Sequence, residues 1–329
     1  MGIPEYQVED GESGIRLDSF LALQDDLGLS RSYISTLVRN GHVMVDRNTP
    51  LKPSTRLRDG QIVAINIPDP EPIDLAPENI PLDIVYEDSH LIVVDKHAGL
   101  VVHPTPSTRR GTLVNALLYH CGESLSGISG ELRPGIVHRL DKDTTGLMMA
   151  AKDDETHRHL AAQLASRTVK RRYVALCWGI PSPEKGRIEG PIGRDPGNRQ
   201  KMTVIEGGRR AVTNYRVLNR YGIAARIECR LETGRTHQIR VHMSVKRKCP
   251  LIADRKYGGM RPKGCSSTRA NRELIADAIR LAGHQMLHAE TLGFTHPITG
   301  EELEFQSAPP IEFHLVQKKL AAAEDASSR

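Results

Sequence analysis

Three segments of the chain gather the residue types that could do chemistry. The first is Gly135-Ile136-Val137-His138-Arg139-Leu140-Asp141-Lys142-Asp143-Thr144-Thr145-Gly146-Leu147-Met148-Met149-Ala150-Ala151-Lys152. It predicts two apolar, strand-like pieces around a polar turn that glycine closes. A turn dense in Arg, Asp and Thr, held between buried strands, is a good place for a positioned functional group. By residue type alone the segment reads equally well as a surface hairpin laced with ion pairs. The second segment, Arg230-Leu231-Glu232-Thr233-Gly234-Arg235-Thr236-His237-Gln238-Ile239-Arg240-Val241-His242-Met243, predicts a strand, a glycine turn and a helix with Ile239 and Met243 on one face. His237 and His242 are five apart, a spacing that suits neither a zinc HExxH helix nor an i,i+4 pair. Core or hydrogen-bonding histidines are the plainer reading of both. The third segment, Lys170-Arg171-Arg172-Tyr173-Val174-Ala175-Leu176-Cys177-Trp178-Gly179, is a strand entered through a basic cluster. Charge runs are usually solvated, but here Tyr173 could stand at a site near phosphates.

The elements that must position these segments follow from periodicity. Before residue 68, Leu17, Phe20 and Leu21 recur at helical spacing, and Ile34, Leu37 and Val38 give a second helix one apolar face. Ser30 is the expected N-cap of that second helix and Gly41 its C′ residue. Val43–Val45 and Ile62–Ile65 read as short strands. Residues 68–81 contain five prolines and read as an extended acidic linker. Beyond it the pattern is mixed α and β. Ile84–Tyr86 and Leu91–Val94 are strands around an Asp88-Ser89 turn, and 155–167 is a helix. Ile223, Ala225, Ile227, Cys229 and Leu231 alternate with polar partners as a strand with one buried face. The expected division is 1–67, a linker 68–81, a main domain 82–317 and a frayed tail 318–329.

Composition narrows the function classes. The 329 residues are 39% hydrophobic and 26% charged, the balance of an ordinary globular protein. No apolar run approaches the roughly 18 residues that a spanning helix needs. The N-terminus lacks the basic-then-apolar order of a secretory signal, so the expected compartment is the cytoplasm, with no membrane partner. Five cysteines (121, 177, 229, 249 and 265) form no CxxC pair, which argues against a disulfide framework or a cysteine zinc site. Residues 1–80 hold 7 Lys/Arg against 13 Asp/Glu, a net −6; residues 81–329 hold 38 against 27, a net +11. A basic body behind an acidic front suits a polyanion partner, and equally a solvated, mildly basic surface. Aromatics are only 4%, few for a binder that reads single strands by repeated stacking.

His138-Arg139-Leu140-Asp141-Lys142-Asp143-Thr144-Thr145-Gly146-Leu147, Lys170–Leu176 and Leu231–Met243, in this order, resemble the RluA-type RNA pseudouridine synthases. The likeness covers about residues 14–315. The two helices and small sheet before the linker, with Arg16-Leu17-Asp18 and Ser30-Arg31-Ser32, resemble an S4-type RNA-binding domain, although Asp46-Arg47 stands where that family usually has Asn-Gly. With Pro81-Leu82-Asp83-Ile84-Val85-Tyr86-Glu87-Asp88, the module points to the D-type branch, which acts on large-subunit rRNA. Two departures stand out: Lys96-His97-Ala98-Gly99 where the family has Lys-Pro-x-Gly, and Asp254-Arg255-Lys256-Tyr257-Gly258 where it often has Asp-Pro-x-Tyr-Gly. Both are expected in loops away from the nucleophile.

The resemblance implies an α+β catalytic domain on a mixed, mainly antiparallel sheet with flanking helices. It also implies isomerisation of uridine in RNA without cofactor or metal. Asp141 corresponds to the essential carboxylate, as nucleophile or base, with Arg240 as its ion-pair partner. Tyr173 corresponds to the active-site tyrosine, and Arg139 to the residue that enters the RNA where the target base leaves. Arg31, Arg39, Lys170, Arg171, Arg235 and His237 are further candidate RNA contacts; Leu287 and Ile239 are candidate pocket walls or plain core. The partner is RNA, as large-subunit rRNA or the assembling subunit, and not DNA. Two rivals remain. A glycosidase would use two carboxylates across the bond, for which Asp143 is the second candidate. A non-catalytic RNA-binding or ribosome-assembly protein would explain the basic body without needing Asp141.

Overall fold

A computed structural model describes residues 3–24, 27, 29, 31–49, 52–67, 75–105, 108–122, 125–126, 134–265 and 268–327. The chain divides into two units, Met1–Pro72 and Ile73–Arg329. In the first, β1 (Glu5–Gln7), α1 (Leu17–Ala22), α2 (Arg31–Arg39), β2 (Val43–Val45) and β3 (Ile62–Ile65) follow in order, and the strands form an antiparallel sheet β1-β3-β2. Leu17, Phe20 and Leu21 on α1 and Ile34, Leu37 and Val38 on α2 recur at one-turn spacing. They close on Val43, Val63 and Ile65 as a core belonging to this unit. The strand β1 adds an edge that periodicity did not reveal, because three residues are too few to show alternation. Asp46 and Arg47 both take positive φ (48° and 65°), as a two-residue hairpin turn requires. The Asp46 carboxylate accepts from Ile62 N–H at 2.9 Å and helps hold that turn. Ser30 and residues 68–74 of the linker lie outside the described residues.

The second half of the linker is not free. Leu75 packs against the main core, Asn115 Nδ2 donates to Ala76 O at 2.9 Å, and Glu78 N–H donates to Asn115 O at 3.0 Å. Asn115 is fully buried, so these bonds satisfy polar groups that would otherwise be stranded.

The second unit is built on one large sheet. Its first elements are β4 (Asp83–Glu87), β5 (Leu91–Lys96), α3 (Leu113–Cys121), β6 (Thr145–Ala151), α4 (Asp154–Ser166) and β7 (Lys170–Trp178). Then come β8 (Lys185–Glu189), β9 (Ile192–Asp195), β10 (Asn198–Val204), β11 (Val212–Tyr221) and β12 (Ala224–Leu231). A short helix α5 (Gln238–Val241), α6 (Arg269–Ala282), β13 (Leu287–Thr295), β14 (Glu302–Gln306) and α7 (Ile311–Ser327) complete it. The sheet order is β4-β5-β6-β13-β7-β12-β11-β8, with β14 also on β13, and β9 pairs with β10 separately. All its pairings are antiparallel except β6 with β13. Both faces are covered, which explains the unbroken apolar run in β5. Ile92 and Val94 join the core under α3, while Leu91 and Val93 join one under Leu160 of α4.

Two expectations need correction. Of the two strand-like pieces in 135–152, only the second is a strand, β6; the first contributes a single bridge, Ile136 to Ala150. β6 already pairs with β5 on one edge and β13 on the other, so no full hairpin partner can form. Parallel pairing here demands Gly146: a Cβ would stand 2.4 Å from Ala289 O. The tail from Lys318 continues α7 through its described residues rather than fraying, because Leu320 is fully buried against α6 and β7 with Phe313 and Val316.

Candidate active site

Asp141 lies in the loop that runs into β6. That loop is tied down from behind. The Lys96 ammonium, 2% exposed at the end of β5, donates to Lys142 O (2.9 Å), Leu100 O (3.0 Å) and His97 O (2.8 Å). Gly99 N–H donates to Lys142 O as well, at 3.0 Å. Burial pushes the Lys96 ammonium down to about 8, against the pull of Asp143, Asp141 and Asp95. The loop of the first family departure therefore braces the Asp141 loop directly, through its backbone and Lys96.

Arg240 comes from α5, 99 positions along the chain. Its Nη1 donates to Asp141 Oδ2 at 2.7 Å. Its other edge is held by Asp254, with Nε to Oδ2 at 2.7 Å and Nη2 to Oδ1 at 2.9 Å. The Asp254 side chain has no exposure, Arg240 has 6% and Asp141 has 15%, so only Asp141 looks out. Asp254 Oδ1 also accepts from Lys256 N–H (2.9 Å) and Tyr257 N–H (3.1 Å), which completes its acceptor set. The second family departure, Arg255, thus directly follows the carboxylate that holds Arg240 and does not lie away from the site. The sequence carried no sign of this, because the loop's proximity to α5 is a tertiary contact.

Burial raises the carboxyl of Asp141, but His237 once protonated, then Arg240 by charge and hydrogen bond, then Arg139, outweigh it and hold the group below the usual carboxylate range. Burial opposes the Arg240 charge too; the bonds and charges of Asp254 and Asp141 outweigh it and keep the guanidinium above its ordinary value. Both groups are charged at neutral pH.

His237 sits on the other oxygen of Asp141, with Nε2 3.9 Å from Oδ1. Its φ is +57°, a left-handed backbone on a non-glycine residue at the start of α5, the sort of strain that collects at functional sites. Tyr257 Oη accepts from Met202 N–H at 2.9 Å and lies 2.6 Å from His237 Nδ1. In the tautomer where the Tyr257 hydroxyl donates to Nδ1, Nε2–H faces Asp141. Burial lowers the pKa of His237, against Asp141, so the ring is neutral at neutral pH. His242, by contrast, is a core histidine bonded to Thr213 Oγ1 and Gly190 O. After α5 the backbone widens into a π-helical turn, His242–Lys246.

These groups open into a cleft of about 520 Å³. Arg139, Asp141, Arg171, Tyr173, Arg235, His237, Ile239, Arg240 and Leu287 all line it, so the chain brings most of the predicted set together. Leu287 and Ile239 are wall and core at once, each about 95% buried. Burial, then Asp141 against Arg171, raises the Tyr173 phenol, so it is a neutral ring at physiological pH. Lys170 is not among the lining residues. It points to the other face of β7 and pairs with Glu304 at 3.4 Å, because successive strand residues alternate faces. Arg31 and Arg39 belong to the first unit, where Arg31 donates to Asp18 Oδ1 at 3.1 Å and Arg39 is exposed in the last turn of α2. Among the described residues that line the cleft, Asp141 is the one carboxylate. Asp143 is not there, and a glycosidase pair is absent from this set.

A family model described as RNA pseudouridylate synthase matches residues 90–245, which span β5 to the π-helical turn and contain Asp141, Tyr173 and Arg240. The RNA pseudouridine synthase YlyB of Bacillus subtilis is 45% identical over 90% of this chain and 90% of its own. This chain belongs to the RNA pseudouridine synthase family. The ribosomal large subunit pseudouridine synthase D of Zymomonas mobilis is 44% identical over 93% of this chain and 94% of its own. Among solved structures, human RNA pseudouridylate synthase domain containing 4 superposes with a TM-score of 0.53 at 26% identity, over 72% of this chain and 92% of that one. As an RNA pseudouridine synthase, the protein has the mixed sheet and flanking helices of its relatives. Among the described residues no helix is long and apolar enough to cross a membrane.

Proposed function

We propose that this RNA pseudouridine synthase isomerises uridines of large-subunit rRNA, with Asp141 as the group that acts at the sugar. The N1–C1′ bond breaks, the uracil turns, C5–C1′ forms, the C5 proton leaves to solvent and N1 takes one up from solvent. The observation that carries this reading is the chain Asp254–Arg240–Asp141, which keeps one ionised carboxylate at the mouth of a cationic cleft. Tyr173 offers a neutral aromatic face on which a turned-out uracil stacks. Arg139 enters the RNA where that base leaves, recovering part of the few kcal/mol lost on unstacking. Arg171, Arg235 and His237 line the route of the backbone. The first unit serves as an S4-like RNA-binding module through residues such as Arg31 and Arg39. The large-subunit target is supported by the names of the relatives, such as synthase D of Zymomonas mobilis.

One assay tests the reading. Large-subunit rRNA transcript carrying tritium at uracil C5 is incubated with the purified protein. Release of tritium to water is expected. Free uracil would mean hydrolysis, and binding without either product would leave only a binding protein on this RNA.

A further inference from the structure

β7 opens with three consecutive cations, and the strand's alternation sends them to different faces. Lys170 meets Glu304, and Arg172 meets Glu290 and Glu228, at 2.5 and 3.8 Å. Arg171 faces the cleft beside Tyr173. It forms no ion pair among the described residues, and its Nε is buried without a hydrogen-bond acceptor there. Asp141 does not neutralise it, since that carboxylate is committed to Arg240. The Arg171 guanidinium lies on bare backbone: a Cβ on Gly234 would stand 2.8 Å from Nη1, so a side chain at 234 would occupy its seat. Its charge reaches inward, where burial and then Arg171 push His138 down to about 3.

A half-buried cation without a counter-charge is costly unless a ligand completes it. Guanidinium is planar and offers parallel N–H groups, the geometry that matches two oxygens of one phosphate. Arg171 and Tyr173 are two residues apart on one face of a strand, about 7 Å along it, a nucleotide-sized interval. We propose that Arg171, seated on Gly234, binds the backbone phosphodiester adjoining the uridine held against Tyr173. This subsite rests on the reading of the cleft as the uridine site. It fixes the turned-out nucleotide by its phosphate and reads no base.

The test uses the full chain and an unmodified large-subunit rRNA transcript, with binding measured between low and moderate KCl and turnover by tritium release. Arg171→Gln is expected to lower kcat/KM roughly 10- to 100-fold, mostly through KM. It is also expected to shrink the slope of log Kobs against log salt by about 0.7–0.9, the loss of one phosphate contact. Arg171→Lys should retain the slope while losing part of kcat/KM, because the charge stays and the fork is lost. Gly234→Ala, which displaces only the far end of a long side chain, should raise KM in the wild type and add nothing in the Arg171→Gln background. An unchanged salt slope for Arg171→Gln, or independent effects of the 234 and 171 changes, overturns the proposal. A fall in kcat alone, with slope and KM intact, also overturns it in favour of base stacking. Because binding is read separately, a wild type that binds this transcript but releases no tritium counts against the rRNA reading, while the slope still decides Arg171.

Discussion

Asp254 occupies the Nε and Nη2 edge of Arg240, at 2.7 and 2.9 Å, and thereby leaves Nη1 as the edge that reaches Asp141. A fully buried carboxylate so placed aims the guanidinium and supplies half of the charge that balances it. Asp254→Asn keeps the shape but leaves Asp141 as the remaining counter-charge of Arg240 and turns an amide group toward it. The expected result is a stability loss of about 1.5–3 kcal/mol, the cost of weakening buried hydrogen bonds to a charged group. At a temperature where the variant is folded, kcat should fall more than KM rises. Thermal melting with steady-state tritium release checks both; an intact kcat would remove Asp254 from any positioning role.

Asp141→Asn removes the charge without removing volume. Binding of rRNA transcript is expected within about threefold of wild type, since the phosphate contacts remain. Turnover should fall at least about 100-fold. A variant that still turns over at near the wild-type rate would falsify the assignment.

His237 should shape the acid side of the rate profile. The ring faces Asp141, Arg240, Lys256, Asp254 and Tyr257, and burial holds it below 6.5. Asp141 itself stays ionised to below 3.8. A proton on His237 would draw the Asp141 charge onto an imidazolium, so kcat is expected to decline as pH drops below about 6.5. In stability terms the unfolded chain binds more protons than the folded one between the lowered pKa and 6.5. The contribution of His237 is therefore present above that window and is lost as pH falls through it. His237→Gln should shift the acid limb of kcat toward the carboxylate range, as pH profiles from 4.5 to 8 would show. A limb that stays put would assign it to another group.

Lys96 makes a prediction on the alkaline side. Its ammonium, near 8 in the fold and near 10.5 when exposed, binds fewer protons folded than unfolded between those values. Its contribution to stability therefore rises with pH through that window. A neutral amine has only two N–H groups for three carbonyls, so the Asp141 loop loses a tie and kcat should decline above about 8. Lys96→Met should lower kcat at every pH and cost at least about 1–3 kcal/mol for stranded carbonyls. Activity and melting that fall together from pH 8 to 10 in the wild type would contradict this separation.

Removing the first unit tests its role. It carries a core of its own, and the division falls at Pro72. A chain beginning at Ile73 should retain a cooperative melt and lose kcat/KM on long rRNA more than on a short stem-loop. Loss of folding would show that the second unit depends on the first.

The sequence by itself determined which residues could act and which local elements carry them. Asp141, Tyr173 and Arg240 stand in motifs, and alternation in Ala225, Ile227 and Cys229 shows the buried face of β12 without help. The Leu160–Leu164 spacing likewise marks α4, which runs Asp154–Ser166. These are short-range properties, set by backbone period and residue type. What tertiary structure decided is who meets whom. Only packing puts Asp254 behind Arg240, Tyr257 on His237 and Lys96 under Lys142, because each pair joins a loop to an element with no shared periodicity. Parallel pairing of β6 with β13 erased the predicted hairpin, and the burial of Leu320 made a helix of a tail that composition marked as loose. Strand alternation could have separated Lys170 from Arg171. That Lys170 finds a carboxylate while Arg171, over Gly234, has no ion pair among the described residues depends on which neighbouring segments the fold brings to each face of β7.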